Sequence, residues 1–310
     1  MNNKAKVITL MILLSLIASS PGPKTSAAVN QSRSSIINEI EYHNGIKNVK
    51  EKTWSSVYNK NVGSYKRVEY TINGKKLSVQ GFEMNKVDYI PFRAAANALG
   101  ISYTYTASSR TSMMYGSGLV MSATEGCYSV YANDRPLFAS SPVVIMSDGR
   151  MYIPAESFAK ATGLSVSETP GAIALKGSYK PLLSSANFYR DDEVLWLARI
   201  IHAESSGEPL LGKIAVGNVV LNRVKSREYP NTIYGVIFDR KYGVQFSPIL
   251  NGTIYNTPSY ESTLAAKICL EGLDISEGAL FFLHPEISSS SWIPKNREYL
   301  FSVSNHDFYS

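Results

Sequence analysis

From Arg67 onward apolar and polar residues alternate, and Val68 to Ile72 and Lys75 to Val79 flank Asn73-Gly74. That pair predicts a two-residue hairpin turn. Tyr89-Ile90-Pro91 then leads into Phe92 to Leu99, closed by Gly100 and followed by the alternating run Ile101 to Tyr105. Proline suits a first helical turn because its missing N–H has no intrahelical partner, and glycine suits the left-handed position past the end. The same pattern returns 63 residues later as Tyr152-Ile153-Pro154, a helical stretch to Thr162, Gly163 and Leu164-Ser165-Val166. Both prolines stand nine residues before their glycine, so a strand, short helix and strand are duplicated. Gly118 to Met121, Tyr128 to Tyr131 and Val143 to Met146 predict further strands between the copies.

The C-terminal third changes to helical periodicity. Asp191-Asp192-Glu193 open an apolar stretch in which Val194, Leu197 and Ile201 form a core stripe. Trp196, Ile200 and Glu204 fall at i, i+4 and i+8 on an adjacent strip. Gly207 breaks this helix and Pro209 starts the next, Leu210 to about Lys225. Tyr242 to Pro248 reads as a turn and short strand, Ser259 to Gly272 as a helix and Ala279 to Leu283 as a strand.

At the other end, Lys4 and Lys6 precede an apolar run, Val7 to Ala18, too short to span a ~30 Å bilayer core. Ser26-Ala27-Ala28 completes a signal-peptide pattern, with the mature start near Val29. Residues 29–66 are polar and predict a linker or arm; residues 178–188, with Ser and Pro, predict a second linker. These boundaries place one domain at 67–177 and another at 189–310, as a length of 310 residues suggests.

The formal net charge of +6 is a poor argument for nucleic acid, since the leader supplies three of the lysines. Residues 29–186 carry 17 basic and 11 acidic side chains, whereas residues 187–310 carry 11 and 14. The N-terminal region therefore suits an anionic surface such as a cell wall. Cys127 and Cys269 lie in different expected domains and read as buried apolar residues or, outside the cell, as a bridge.

Glu204 is the most suggestive chemical group. An apolar strip and the negative end of a helix both favour its protonated form, which a general acid requires, although carboxylates at helix ends are also commonly solvated. Asn218 and Asn222, four apart on the next helix, form either a polar cleft wall or a hydrogen-bonded row. Gln245, Ser247, His284 and Trp292, near the serine run 288–291, supply short polar arms and an aromatic ring suited to sugars. Trp292 reads equally well as a core ring. The tyrosines of 67–177 suit a sugar-binding face or ordinary strands.

Two resemblances sharpen this reading. Tyr89-Ile90-Pro91-Phe92-Arg93 to Ala98-Leu99-Gly100, repeated as Tyr152-Ile153-Pro154 to Thr162-Gly163 after Asp148-Gly149-Arg150, resembles the N-terminal stalk domain of copper amine oxidases. Leu197-Ala198-Arg199, Ala203-Glu204, Gly207-Glu208-Pro209, Val220-Leu221-Asn222-Arg223, Gln245-Phe246-Ser247 and His306-Asp307-Phe308-Tyr309 resemble the spore cortex-lytic cell wall hydrolases. His202, Ser205 and His284 depart from that pattern.

The expected fold class is α+β, a duplicated strand–helix–strand stalk domain followed by a small, mainly helical lysozyme-like domain. The resemblance implies a secreted enzyme of the cell wall or spore envelope that cleaves peptidoglycan glycan strands, with Glu204 catalytic and no metal or other cofactor. A spore-associated accessory protein is an expected partner, while the charge balance and the short apolar run imply no nucleic acid and no permanent membrane span. The resemblance implies a lytic transglycosylase cutting the N-acetylmuramic acid to N-acetylglucosamine bond, which needs one carboxylate; the alternative, a muramidase using water, needs a second, for which Glu208 and Asp239 are available. A zinc amidase and a non-catalytic wall-binding protein are the remaining alternatives; His202, His284 and His306 show no His-Glu-x-x-His pattern.

Overall fold

The computed structural model describes residues 65–139, 141–241, 243–288 and 292–310. The signal-peptide and arm expectations fall outside these residues except at Tyr65 and Lys66, as do Tyr242 and Ser289 to Ser291. The chain divides into two compact units between Phe188 and Tyr189. Among the described residues no helix is long and apolar enough to cross a membrane.

In the N-terminal unit the strand Lys66–Ile72 turns through Asn73 (φ 49°) and Gly74 (φ 80°) into Lys75–Lys76. Positive φ at both positions is what this tight turn demands. The expected strand to Val79 is interrupted. Leu77 donates its N–H to the Tyr70 carbonyl, and pairing resumes at Gly81–Met84 with two additional residues on that side. Gly81 lies against the Tyr70 ring and the Tyr89 carbonyl, where a Cβ has no room.

The duplication organises the rest of this unit. Strand Val87–Pro91 feeds helix α1 (Phe92–Ala98), and Met151–Pro154 feeds helix α2 (Ala155–Thr162). The two strands pair antiparallel, with Ile153 opposite Ile90, so the copies meet one strand in from an edge of an eight-stranded sheet. A separate five-stranded meander runs from Ser102–Thr106 to Arg135–Phe138 and includes Thr111–Gly116, which the alternation did not single out. Phe92, Met114, Met121, Ile153 and Phe158 lie in the common core. Tyr70, Tyr89 and Tyr152 are buried as well, so these tyrosines pack the interior; Tyr105 is the sort that stays exposed. The stretch expected as a linker is strapped to this unit. Lys180 and Leu182 donate to the Thr162 and Ala161 carbonyls, and the short helix α3 (Ser185–Phe188) ends it.

The C-terminal unit is built on three packed helices: α4 (Asp191–Ser205), α5 (Leu210–Lys225) and, after the short α6 (Ile233–Ile237) and α7 (Pro248–Asn251), α8 (Tyr260–Leu270). Leu197, Ile201, Val220, Leu264 and Ile268 on these helices are buried, and Val216 packs with Val219, Ala279 and Phe308. Gly217 sits where the helices converge. A Cβ there would approach the Cys269 Sγ and the Ile201 Cδ1 to 2.8 Å each. Cys269 is a buried free thiol that donates to the Ile214 carbonyl, and Cys127 is buried within the other unit. Strands Phe281–Leu283, His306–Tyr309 and Tyr299–Val303 form a small sheet, with helix α9 (Trp292–Asn296) between the first and the last in sequence.

Candidate active site

Glu204 lies in the last turn of α4, half-buried beside Ile200, which is fully buried. Among the described residues its carboxyl makes no hydrogen bond. Burial pushes the Glu204 carboxyl up to about 7, and the positive charge of Arg223 opposes that rise. Such a group holds a transferable proton at neutral pH and is left with a nearby cation once the proton has gone.

Arg223, from α5, is itself buried at 4% exposure. Its Nε donates to the Leu280 carbonyl at 2.8 Å, and its guanidinium lies 5.1 Å from the ring centres of Tyr229 and Phe246 and 5.4 Å from Phe281. Desolvation lowers its pKa, while Tyr229, Asp239 and Glu204 raise it.

Glu208 does not duplicate Glu204. It is buried at 6% exposure and accepts from the Asn305 backbone N–H and side-chain Nδ2 at 3.3 and 3.0 Å. Bonds from Ser304 and Asn305 and the nearby His306 outweigh desolvation and hold its carboxyl below the usual range. Lys213, buried at 1% exposure, caps the same corner by donating to the Ser206 and Glu208 carbonyls. Asp239 accepts from the Lys241 N–H, and its other oxygen is buried without a hydrogen-bond partner.

The remaining sequence candidates separate. Asn218 is a correction: buried, it donates to the Leu273 carbonyl at 2.7 Å and accepts from the Ile275 N–H at 3.0 Å. Asn222 likewise donates to Ser276 Oγ and the Ala279 carbonyl. Both amides fasten residues 273–279 to α5, the hydrogen-bonded row that was the second reading of their spacing. Gln245 donates to the Gly243 carbonyl, and Ser247 is exposed just before α7. His284 packs with His306, ring centres 5.8 Å apart. Trp292, 52% exposed, lies 6.2 Å from Phe281 and is no core ring. Arg223, Phe281 and Trp292 form one contiguous group, and the charge of Arg223 acts on Glu204.

Pattern reading missed an aromatic cluster on the strip that carries Glu204. Trp196 meets Tyr234, Phe238 and Tyr255 edge-on at 5.2, 5.3 and 6.2 Å. Tyr234 and Tyr255 are more than half exposed. The position of Trp196 two turns before Glu204 was the available signal.

With this geometry in place, comparison with known proteins defines the class of each unit. Residues 207–309 match the cell wall hydrolase family and residues 71–173 match the copper amine oxidase N-terminal domain. The C-terminal unit carries a cell wall hydrolase domain and the N-terminal unit a copper amine oxidase N-terminal domain. The hydrolase match begins three residues after Glu204.

Among individual relatives, the spore cortex-lytic enzyme of Bacillus cereus is 37% identical over 107 residues, covering 34% of this chain and 40% of its own length. That of Halalkalibacterium halodurans is 35% identical over 105 residues, covering 34% and 31%. The chain thus spans well under half the length of these curated relatives. The solved catalytic domain of the germination-specific lytic transglycosylase SleB from Bacillus anthracis is 35% identical, covering 40% of this chain and 98% of that one, with a TM-score of 0.37.

Proposed function

We propose that the protein is a peptidoglycan lytic transglycosylase that cuts the bond from N-acetylmuramic acid to N-acetylglucosamine in spore cortex or cell wall. The single observation that carries this is Glu204, half-buried in the last turn of α4 without a hydrogen-bond partner among the described residues, where burial favours the protonated carboxyl and the charge of the caged Arg223 favours the ionised one. Protonated Glu204 donates to the glycosidic oxygen as the C1–oxygen bond breaks and positive charge develops on the muramyl ring. The resulting carboxylate, favoured by Arg223, takes the proton of the same sugar's C6 hydroxyl as that oxygen bonds C1. The products are a free N-acetylglucosamine end and a 1,6-anhydro muramyl end, and Glu204 regains its proton. A tethered nucleophile outcompetes water through effective molarity, so one carboxylate suffices.

Glu208 is occupied by the 304–305 turn, which argues against a water-activating role for it and against a muramidase built on that pair. The relatives' names favour spore cortex as the substrate. Secretion, wall attraction by the N-terminal unit and a spore-associated accessory partner complete the proposal. Digestion of cortex in water enriched in heavy oxygen tests the chemistry. Unlabelled anhydro ends, one water lighter than reducing ends, are expected; labelled reducing ends would overturn it.

A further inference from the structure

The proposed proton transfers leave the second side of the caged cation unused. Phe281 carries two guanidinium groups: Arg223 at 5.4 Å and Arg297 at 4.4 Å from its ring centre. Arg297 also lies 5.4 Å from the ring of the exposed Trp292. Arg223 Nη1 and Arg297 Nε are buried without a hydrogen-bond partner. Among the described residues neither guanidinium has a carboxylate within ion-pair distance. Glu204 and Asp239 act on Arg223 only from beyond it.

Buried charged donors left unbonded are costly, and guanidinium groups pair with carboxylates in preference to most other groups. Aromatic rings beside them suit the apolar face of a sugar. A glycan strand of peptidoglycan offers both features on one residue, because muramic acid is a sugar with an acidic arm.

We propose that Arg223 and Arg297, with Phe281 and Trp292, form a receptor for a muramyl carboxylate on the bound glycan strand. This rests on the substrate reading above and adds to it a determinant of which strands are taken. The carboxylate is either the lactyl group itself or the free acid end of the peptide attached to it.

The test uses the full chain carrying Glu204→Gln, so that ligand is not consumed, and measures equilibrium binding of soluble glycan strands. Peptide-free strands with intact lactyl carboxylates, the same strands converted to methylamides, and peptide-bearing strands before and after the same conversion are compared. Acid strands should bind at least about tenfold tighter than amides, the low end for a hydrogen bond to a charged group. Adding Arg297→Gln should erase that preference, and Arg297→Lys should restore part of it. A preference confined to the peptide-bearing pair assigns the peptide acid; one seen in the peptide-free pair assigns the lactyl group. Equal binding of acid and amide, no binding of any strand, or a preference that survives Arg297→Gln overturns the receptor. Digestion by the unmodified chain separates the two proposals. A binding preference without cleavage overturns the transglycosylase reading alone, and cleavage without a preference overturns the receptor alone.

Discussion

Replacing Glu204 with glutamine keeps the size of the side chain and removes its proton, so cleavage should fall at least a thousandfold while the fold persists. The same change should stabilise the protein. The unfolded carboxyl ionises near 4.3, whereas the folded one ionises at about 7. Wild type therefore loses stability as pH rises between those values, reaching a penalty of at most about 4 kcal/mol above pH 7. Glu204→Gln should match wild type in urea unfolding at pH 4 and exceed it at pH 8; equal midpoints at both would refute the buried acid. Cleavage by wild type should correspondingly decline as pH rises through about 7. This residue was legible because Trp196, Ile200 and Glu204 share a strip. Asn218 and Asn222 show the limit: their spacing marks one helix face, but the loop that claims that face lies more than 50 residues away. Arg223 was legible only as part of a motif, since the rings of its cage come from Tyr229, Phe246 and Phe281.

At the scale of elements, two joints hold the acid in place. Gly217 lets α5 approach α4 and α8 closely, and Gly217→Ala should cost about 1–3 kcal/mol of stability because the new methyl meets Ile201 and Cys269. Thermal or urea unfolding of that variant checks it, and an unchanged midpoint would show that the helices part without strain. The second joint is Glu208, which the sequence offered as a possible second catalytic carboxylate. It instead ties the α4–α5 corner to the Ser304–Asn305 turn, a partner almost 100 residues distant that no local pattern reveals. Its depressed pKa contributes stability above the unfolded value, near 4.3, and that contribution disappears as pH falls through the folded value. Glu208→Gln should lower stability at pH 7 by about 1–2 kcal/mol, with the difference narrowing below pH 4, and should leave glycan cleavage largely intact. The hairpin at Asn73-Gly74 was readable because its turn chemistry is local, whereas the interruption at Leu77 depends on the Tyr70 ring beneath Gly81.

For the whole molecule, the division of labour follows from two separate cores. The duplicated strands meet around Ile90 and Ile153, and the residues after Gly177 remain strapped to that unit as far as Phe188. A fragment beginning at Tyr189 therefore keeps its complete three-helix core and should retain cleavage of soluble glycan. What it loses is the N-terminal region, whose excess of basic over acidic side chains suits an anionic wall. Sedimentation with purified wall should retain the full mature chain more strongly than the fragment at low salt. The difference should shrink as ionic strength rises toward 1 M, where the screening length falls to ~3 Å. Equal retention at every salt concentration would make the N-terminal unit a spacer. A difference that salt does not touch would move the wall contact from charge to the exposed aromatic side chains, of which Tyr105 is the first to mutate.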